Sequence, residues 1–386
     1  MIFASRSDCP RLARGFFLWL LLAMPAAAAQ AAPYRPADDA VVLERLPAAL
    51  SSLRPSRDRE LTADQAAQLA RVFIERSRRS GDPRELGYAQ GVLAPWWSLA
   101  DAPNPVLLLR ATLRQARHDF DGALDDLQRL LARQPEDAQA RLTQATVLRV
   151  LGRYPEALAA CEQLQGRADA FVAELCATAI RGLMGEREAA IARLDALRPQ
   201  LGAQLAGVAA WYYAERADLA ERAGDDAGAE AWYREALAAH AGDLGLRASY
   251  ADLLLDAGRA AEVLPLIAAD EQVEALLLRR ALALRALGDP AFTALDRRIR
   301  DNFAAARLRG EALHLREEAR YSLAVGEIER GLELARANWA VQHEPWDARL
   351  LLLAAKLSGH SEAAEPVRRW LAETRLQDAR LAGVLP

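Results

Sequence analysis

Two adjacent stretches decide the fold: LLLRATLRQARHDFDGALDDLQRLLARQP (residues 107–135) and RLTQATVLRVLGRYPEALAACEQL (residues 141–164). They align on Phe120 and Tyr154, which are 34 residues apart. In both, apolar residues recur at helical spacing, pass through a short polar turn, and resume at helical spacing. Each stretch therefore predicts two helices joined by a tight turn, and we call such a helix pair a unit.

The same register continues along the chain in steps of 30 to 39 residues. The positions equivalent to Phe120 and Tyr154 are Arg187, Asp226, Ala260, Pro290, Ile328 and Ser361. Two residues before the aligned position, seven of the eight units carry glycine, and the exception is His118. Glycine adopts a positive φ without steric cost, so this pattern predicts the end of each first helix. A ninth, more degenerate unit covers residues 69–93, with Gly81 at its turn.

The repeat resembles the tetratricopeptide repeat family over roughly residues 61–380, and most closely at 214–237 (AERADLAERAGDDAGAEAWYREAL). It departs from the family in carrying alanine where the first helix usually has glycine, and in keeping the terminal proline clearly only at Pro135. The resemblance implies an all-α, right-handed superhelical solenoid of stacked helix–turn–helix repeats with a concave groove. A non-repeating helical bundle is the alternative.

The N-terminus reads as an export signal. Three arginines precede an unbroken apolar run (residues 16–24), which Pro25 and four alanines follow. The run is shorter than the roughly 20 residues that a membrane span needs. We expect residues 1–29 to be a cleaved signal peptide and the protein to be periplasmic or otherwise exported. The alternative is an uncleaved anchor, which would be the only attachment to the membrane.

The remaining chain divides into two parts. Residues 30–60, with four prolines and a short apolar stretch, are interpreted as an N-terminal linker or cap. Residues 61–386 are predicted to form the solenoid of about eight to nine repeats, the first of them degenerate.

Charge and motifs restrict the function classes. The chain carries a net charge of −4, and the predicted signal holds three arginines and one aspartate, so its removal leaves −6. Because phosphate neutralisation drives nucleic-acid affinity, a nucleic-acid partner is not expected. The sequence contains no H-E-x-x-H, P-loop, Rossmann glycine pattern or G-x-S-x-G motif. We therefore expect no catalytic, cofactor or metal site, and no enzyme.

The family's inner surface is formed by the first helices, and its register gives candidate partner-binding positions in this sequence. They are Thr112, Gln115, Thr146, Arg149, Trp211, Asp218, Glu221, Asp252, Arg285, Arg316, Arg320, Arg349 and Lys356. This set is acidic in the middle of the array and basic towards the C-terminus. It suggests a groove that holds an extended, oppositely charged segment in one direction. Alternatively, these charges only solvate the inner face.

Two cysteines follow the predicted signal. Cys161 lies in the second helix of one unit and Cys176 in the first helix of the next, at similar distances from the turn between them. An oxidising compartment would allow a disulfide, and two buried thiols are the alternative.

The function that these features favour is a periplasmic tetratricopeptide-repeat scaffold or adaptor. It would bind an unidentified protein partner through its groove, in envelope assembly, secretion or export. The alternative is a small-ligand-binding protein or an enzyme with its site hidden in the groove. A third interpretation, an accessory subunit on an uncleaved anchor, differs only in its attachment.

Overall fold

A computed structural model describes residues 61–268, 273–308 and 315–384. Throughout these ranges the regular structure consists of α-helices and short 3-10 helices, with no strand. The predicted all-α class is confirmed for this part of the chain. The predicted signal peptide (1–29) and linker or cap (30–60) lie outside the described residues.

The helices follow one another along the chain with short connections. In order they are α1 (Ala63–Ser80), α2 (Arg84–Val92), α3 (Ala94–Trp97), α4 (Asn104–Ala116), α5 (Phe120–Arg133), α6 (Ala138–Val150), α7 (Tyr154–Glu162), α8 (Ala170–Leu183), α9 (Arg187–Leu197), α10 (Ala206–Ala223), α11 (Asp226–Ala239), α12 (Leu244–Asp256), α13 (Ala260–Ile267), α14 (Glu274–Ala286), α15 (Phe292–Leu308), α16 (Leu315–Val325), α17 (Ile328–Trp339), α18 (Pro345–Ser358) and α19 (Glu365–Thr374).

The predicted units are present as helix pairs, from α4/α5 through α16/α17, with α1/α2 as the degenerate first unit. Six second helices begin at the aligned positions: Phe120, Tyr154, Arg187, Asp226, Ala260 and Ile328. In the unit predicted at Pro290 the helix begins two residues later, at Phe292, after a turn in which Asp289 Oδ1 accepts a hydrogen bond from the backbone N–H of Ala291 (2.8 Å). In the last unit, α18/α19, a 3-10 turn begins at the aligned residue Ser361 and leads into the second helix, α19.

Aspartates fix where many helices start. In each case the Oδ1 atom accepts a hydrogen bond from a backbone N–H of the first turn, which would otherwise lack a partner. These N-cap residues are Asp119, Asp137, Asp169, Asp225 and Asp243.

The glycine turns have the predicted backbone conformation. The seven glycines that precede the second helices have φ values between 66° and 88°. His118, the exception in sequence, adopts the same left-handed conformation with φ 60°. The turn geometry is therefore shared by all eight units, and glycine is the residue that adopts it at least cost.

Small residues let the two helices of a unit and its neighbours approach closely. The alanines in the middle of the first helices are at most 2% exposed; they are Ala111, Ala145, Ala217, Ala251, Ala281 and Ala319. Larger side chains fill the space between units, and the buried residues of consecutive units merge into shared clusters. Stacking of units is thus what buries each unit's second apolar face.

The last units also pack against early turns, which the repeat register alone does not predict. The backbone N–H of His343 donates to the carbonyl of Val150 (2.8 Å). At Gly152, an added Cβ would fall 2.7 Å from Trp370 Nε1 and 2.9 Å from the His343 Cβ. The ring of Trp370 contacts Tyr154 with its centroid 5.9 Å away. The array is therefore closed by contact between units that are about 190 residues apart in sequence.

A disulfide joins two consecutive units. Cys161 in α7 and Cys176 in α8 are both buried, with their Cα atoms 5.5 Å apart and their sulfurs bonded. The bridge links the second helix of one unit to the first helix of the next.

The contact at Gly152 can be tested against a matched turn. Gly152 and Gly258 have similar φ values (69° and 73°), but nothing lies within 4 Å of a Cβ added at Gly258. We expect Gly258→Ala to lower the free energy of unfolding by about 1–2 kcal/mol through backbone strain alone. Gly152→Ala should cost about 1–3 kcal/mol more, because its methyl group overlaps Trp370 and His343. Urea unfolding measures both, and equal losses would contradict the closure.

Candidate functional site

The first helices of successive units form one surface, which we call the inner face. Its middle encloses a cavity of about 280 Å³, the central chamber, to which α6, α10, α12, α14 and α16 contribute side chains. The charged residues that line it are Arg149, Glu215, Asp218, Glu221, Asp252, Arg279, Arg316, Glu317, Arg320, Glu344 and Arg380.

Helical spacing explains why so many charges point into one space. Glu215, Asp218 and Glu221 are three residues apart on α10 and so share one face of that helix. Arg316 and Arg320 are four residues apart on α16 and share a face in the same way. The two faces meet across the chamber.

Most of these charges are paired within the chain. Asp252 on α12 accepts two hydrogen bonds from Arg279 (2.9 and 2.7 Å) and a third from Arg320. Arg149 on α6 donates to Glu215 on α10 at 2.5 Å. Charges removed from water are stable only when paired in this manner. The pairs therefore tie together first helices of different units.

Arg316 holds the start of α18. It donates to both carboxylate oxygens of Asp347 (2.6 and 2.8 Å) and to Glu344 (2.5 Å). Asp347 is almost completely buried and also accepts from Asn338 (2.7 Å). This network joins α16, α17 and α18.

The surroundings shift the carboxyl pKa values in opposite directions. Burial opposes ionisation of Asp252, but Arg279 and Arg320 outweigh it and hold its pKa below the ordinary value. Burial raises the pKa of Glu221 to about 7, although Arg380 and the hydroxyl of Tyr233 both lower it. Even with Arg380 beside it, Glu221 is therefore only partly ionised near neutral pH.

A second cavity of about 350 Å³, the apolar cleft, opens on the inner face of α12, α14, α16 and α18. Its apolar lining residues are Leu255, Leu282, Ala286, Leu323, Ala324, Trp346, Leu350, Leu353 and Leu357. Arg285, Arg320 and Arg349 surround it together with Asp256. The rings and guanidinium groups are in contact, since Arg320 lies 4.7 Å and Arg349 5.9 Å from the Trp346 ring centre.

A third cavity of about 500 Å³ lies between the early turns and the later helices. Residues far apart in the sequence line it, including Gly81 at the first turn and Val273 before α14. It shares Arg316, Glu317 and Glu344 with the central chamber, so the two cavities adjoin.

The structure brings most of the predicted groove residues to these cavities. Arg149, Asp218, Glu221, Asp252, Arg316 and Arg320 line the central chamber. Arg285, Arg320 and Arg349 line the apolar cleft, and Gln115 and Arg316 line the third cavity. That these residues bind a partner stays a prediction.

The other four predicted positions bond locally. Thr112 and Thr146 each donate to a backbone carbonyl one turn back in their own helix (3.0 and 2.9 Å). Trp211 donates to Glu215 at 2.9 Å, and Lys356 donates to the carbonyl of Gly383 at 2.8 Å. The two threonine hydroxyls therefore bond within their own helices. Trp211 bonds to a residue of the central chamber, and Lys356 bonds to the backbone near the end of the described chain.

Several chamber residues were not predicted from the sequence. Glu215 could have been found, because it precedes Asp218 by one helical step. Glu344 and Arg380 could not, since their position depends on how distant units pack. Acidic residues lie on the middle helices and arginines on the late helices, as the register places them. In the structure several of them pair with each other, as Arg320 does with Asp252 and Arg349 with Asp256.

Within the described ranges, no group of three or more His, Cys, Asp or Glu residues is placed to hold a metal ion. None of the helices in that same part of the chain is both long and apolar enough to cross a membrane.

Asp252 provides a test of the paired inner face. We expect Asp252→Asn to lower the free energy of unfolding by about 3–5 kcal/mol at pH 7, because it leaves buried guanidinium charge uncompensated. The wild-type pKa is depressed, so this contribution is present above the ordinary Asp pKa of about 4 and is lost as the pH falls through the lower folded value.

Denaturant unfolding of both proteins from pH 7 down to pH 2 measures the difference. Glu317→Gln is the control, since its carboxylate lies 3.9 Å from Arg279, beyond hydrogen-bond distance, and its side chain is 28% exposed. A difference between wild type and Asp252→Asn that is independent of pH would show that the carboxylate charge is not what holds these helices.

Comparison with known proteins gives structural similarities only. No family model matches the chain, and no curated protein matches it. A tetratricopeptide repeat protein from Parabacteroides merdae is 15% identical, with 81% of this chain and 99% of that one covered and a TM-score of 0.37. The Cut9–Hcn1 hetero-tetramer of the APC/C is 11% identical over 81% and 78%, with a TM-score of 0.41.

The human IFIT1 dimer with PPP-AAAA is 12% identical, covering 84% of this chain and 76% of that one at a TM-score of 0.44. These identities and scores are too low to say anything about ligand or partner. The fold follows from the helix pairs themselves, with their repeat length, positive-φ turns and close alanine contacts. Over the described residues, the chain is an all-α array of tetratricopeptide-like repeats.

Proposed function

We propose that this chain is an exported, periplasmic scaffold that binds a protein partner through its inner face. It would serve as an accessory or adaptor component in envelope assembly, secretion or export. The observation that carries the proposal is the apolar cleft, an accessible apolar surface with arginines around it on the face that the first helices share.

The cleft has the composition of a binding surface. Leu357 is 50% exposed at its edge, where it adjoins the other apolar residues of the lining. Arg285 is exposed there and, within the described part of the chain, contacts the ring of Phe292 rather than a carboxylate. An apolar centre with arginines at the rim is typical of protein interfaces.

Export is supported by two independent features. The sequence begins with basic residues, an apolar run and small residues in the order of a secretory signal. Cys161 and Cys176 are positioned to form a disulfide, which persists in oxidising compartments such as the periplasm.

Crosslinking in the native host, followed by purification of the chain from the periplasmic fraction, tests the proposal. We expect a stoichiometric protein partner with the wild type, and loss of that partner with Leu357→Glu and with Arg285→Glu. Leu205→Glu is the matched control, because Leu205 is 80% exposed and does not line the cleft.

Absence of the chain from the periplasm would contradict the location. Equal partner recovery from all variants would exclude the cleft as the binding surface. A bound small molecule in the native mass spectrum, without any protein partner, would favour the ligand-binding alternative.

A further inference from the structure

After α19 the chain continues past the turns of earlier units and then forms a short 3-10 helix (Ala379–Leu381). Arg375 ends the helix with a left-handed backbone conformation (φ 56°), and the following residues run past successive glycine turns. An added Cβ at Gly185 would fall 2.9 Å from the Arg375 carbonyl oxygen, and one at Gly224 would fall 3.4 Å from the Ala379 Cβ. We call residues 375–381 the C-terminal segment.

Three side chains anchor this segment. Leu376 and Leu381 are 9% and 4% exposed and belong to the core cluster that includes the disulfide region. Arg380 reaches into the central chamber and forms an ion pair with Glu221, whose other oxygen accepts from Tyr233 (2.6 Å). The segment therefore places two leucines and one arginine against earlier parts of the array.

The chamber favours a cationic occupant. Six carboxylates line it, and four arginines do so besides Arg380. Burial disfavours the ionised form of Glu221, and Arg380 offsets part of that effect. Removing Arg380 would leave the chamber with an excess of negative charge in a poorly solvated space.

The fit of the C-terminal segment is incomplete. Among the described residues, seven buried side-chain nitrogen or oxygen atoms have no hydrogen-bond partner. Two of these seven lie in the C-terminal segment itself: Arg380 Nε and Asp378 Oδ2. Buried polar groups without partners weaken an interaction, so a segment that satisfied them would bind more tightly in the same place.

We propose that residues 375–381 are an intramolecular occupant of a peptide-binding site. The protein partner that fits this site presents a basic segment, with two leucines at the spacing of Leu376 and Leu381 and a cation at the position of Arg380. The partner displaces the chain's own segment and pairs its cation with Glu221. This inference rests on the proposed function in assuming a protein partner, but the site and its occupant belong to this chain alone.

A fluorescent synthetic peptide of residues 375–386 tests the proposal with full-length protein. Arg380→Glu should release the C-terminal segment, because the new carboxylate faces Glu221 and Asp218. We expect the peptide to bind this variant at least about tenfold more tightly than wild type, since its own segment no longer competes. Fluorescence anisotropy measures the affinities, and Arg369→Glu, an exposed reversal on α19, should behave as wild type.

Two further measurements keep the test decisive. Trypsin should cleave after Arg375 faster in Arg380→Glu than in wild type, while circular dichroism shows both folded. The double variant Glu221→Arg with Arg380→Glu should restore protection, and should still exclude the unmodified peptide. If Arg380→Glu fails to fold, Arg380→Ala replaces it with the same expectation.

The proposal is overturned if the folded variant binds the peptide no better than wild type, or if a peptide carrying Arg380→Glu binds equally well. These outcomes are independent of the periplasmic purification, which can fail to yield a partner while the synthetic peptide still binds. Conversely, the purification can yield a partner that binds only the apolar cleft. That result would not alter the affinity measured for the synthetic peptide.

Discussion

The packing of the last units on the turn at Gly152 determines what the inner face of this array can do. Glycine is required there for the backbone conformation and for the approach of Trp370 and His343, so a single position serves both the repeat and its closure. From this contact the chain continues past the turns at Gly185 and Gly224, which brings Arg380 into the central chamber.

Contact between the early and late units determines which charges on the inner face are available to a partner. In an open array, acidic middle helices and basic late helices would both be available to a partner. Here Arg320 pairs with Asp252 and Arg349 with Asp256, so the basic end satisfies part of the acidic middle. Buried charges require such partners, and a binding protein must either displace them or use the surface they leave open. The apolar cleft is that open surface, and the C-terminal segment is the part of the chain placed to be displaced.

Much of the fold could be predicted because its determinants are local. The turn glycines, the alanines at helix crossings and the spacing of apolar residues specified the units, and the second helices begin at the aligned residues from Phe120 to Ile328 with one shift at Pro290. Local geometry also placed Cys161 and Cys176 near each other across one short connection.

The site was only partly accessible from sequence. The register identified Asp218, Glu221 and Arg320, because the first helices present fixed positions to the inner face. It could not identify Arg380 or Glu344, whose place in the chamber depends on contacts between units far apart in the chain. A repeat pattern specifies which units are adjacent. Which distant turns meet depends on the small rotation from one unit to the next, summed over the array.

Hydrogen exchange at the backbone amide of His343 tests the closure most directly. This amide lies in the connection between α17 and α18 and donates to the carbonyl of Val150, an early residue, rather than to its own helix. The closed array predicts strong protection of this amide, close to that of the neighbouring helices. Exchange at the rate of an unstructured peptide, while α18 remains protected, would contradict the closure and with it the account of the inner face given above.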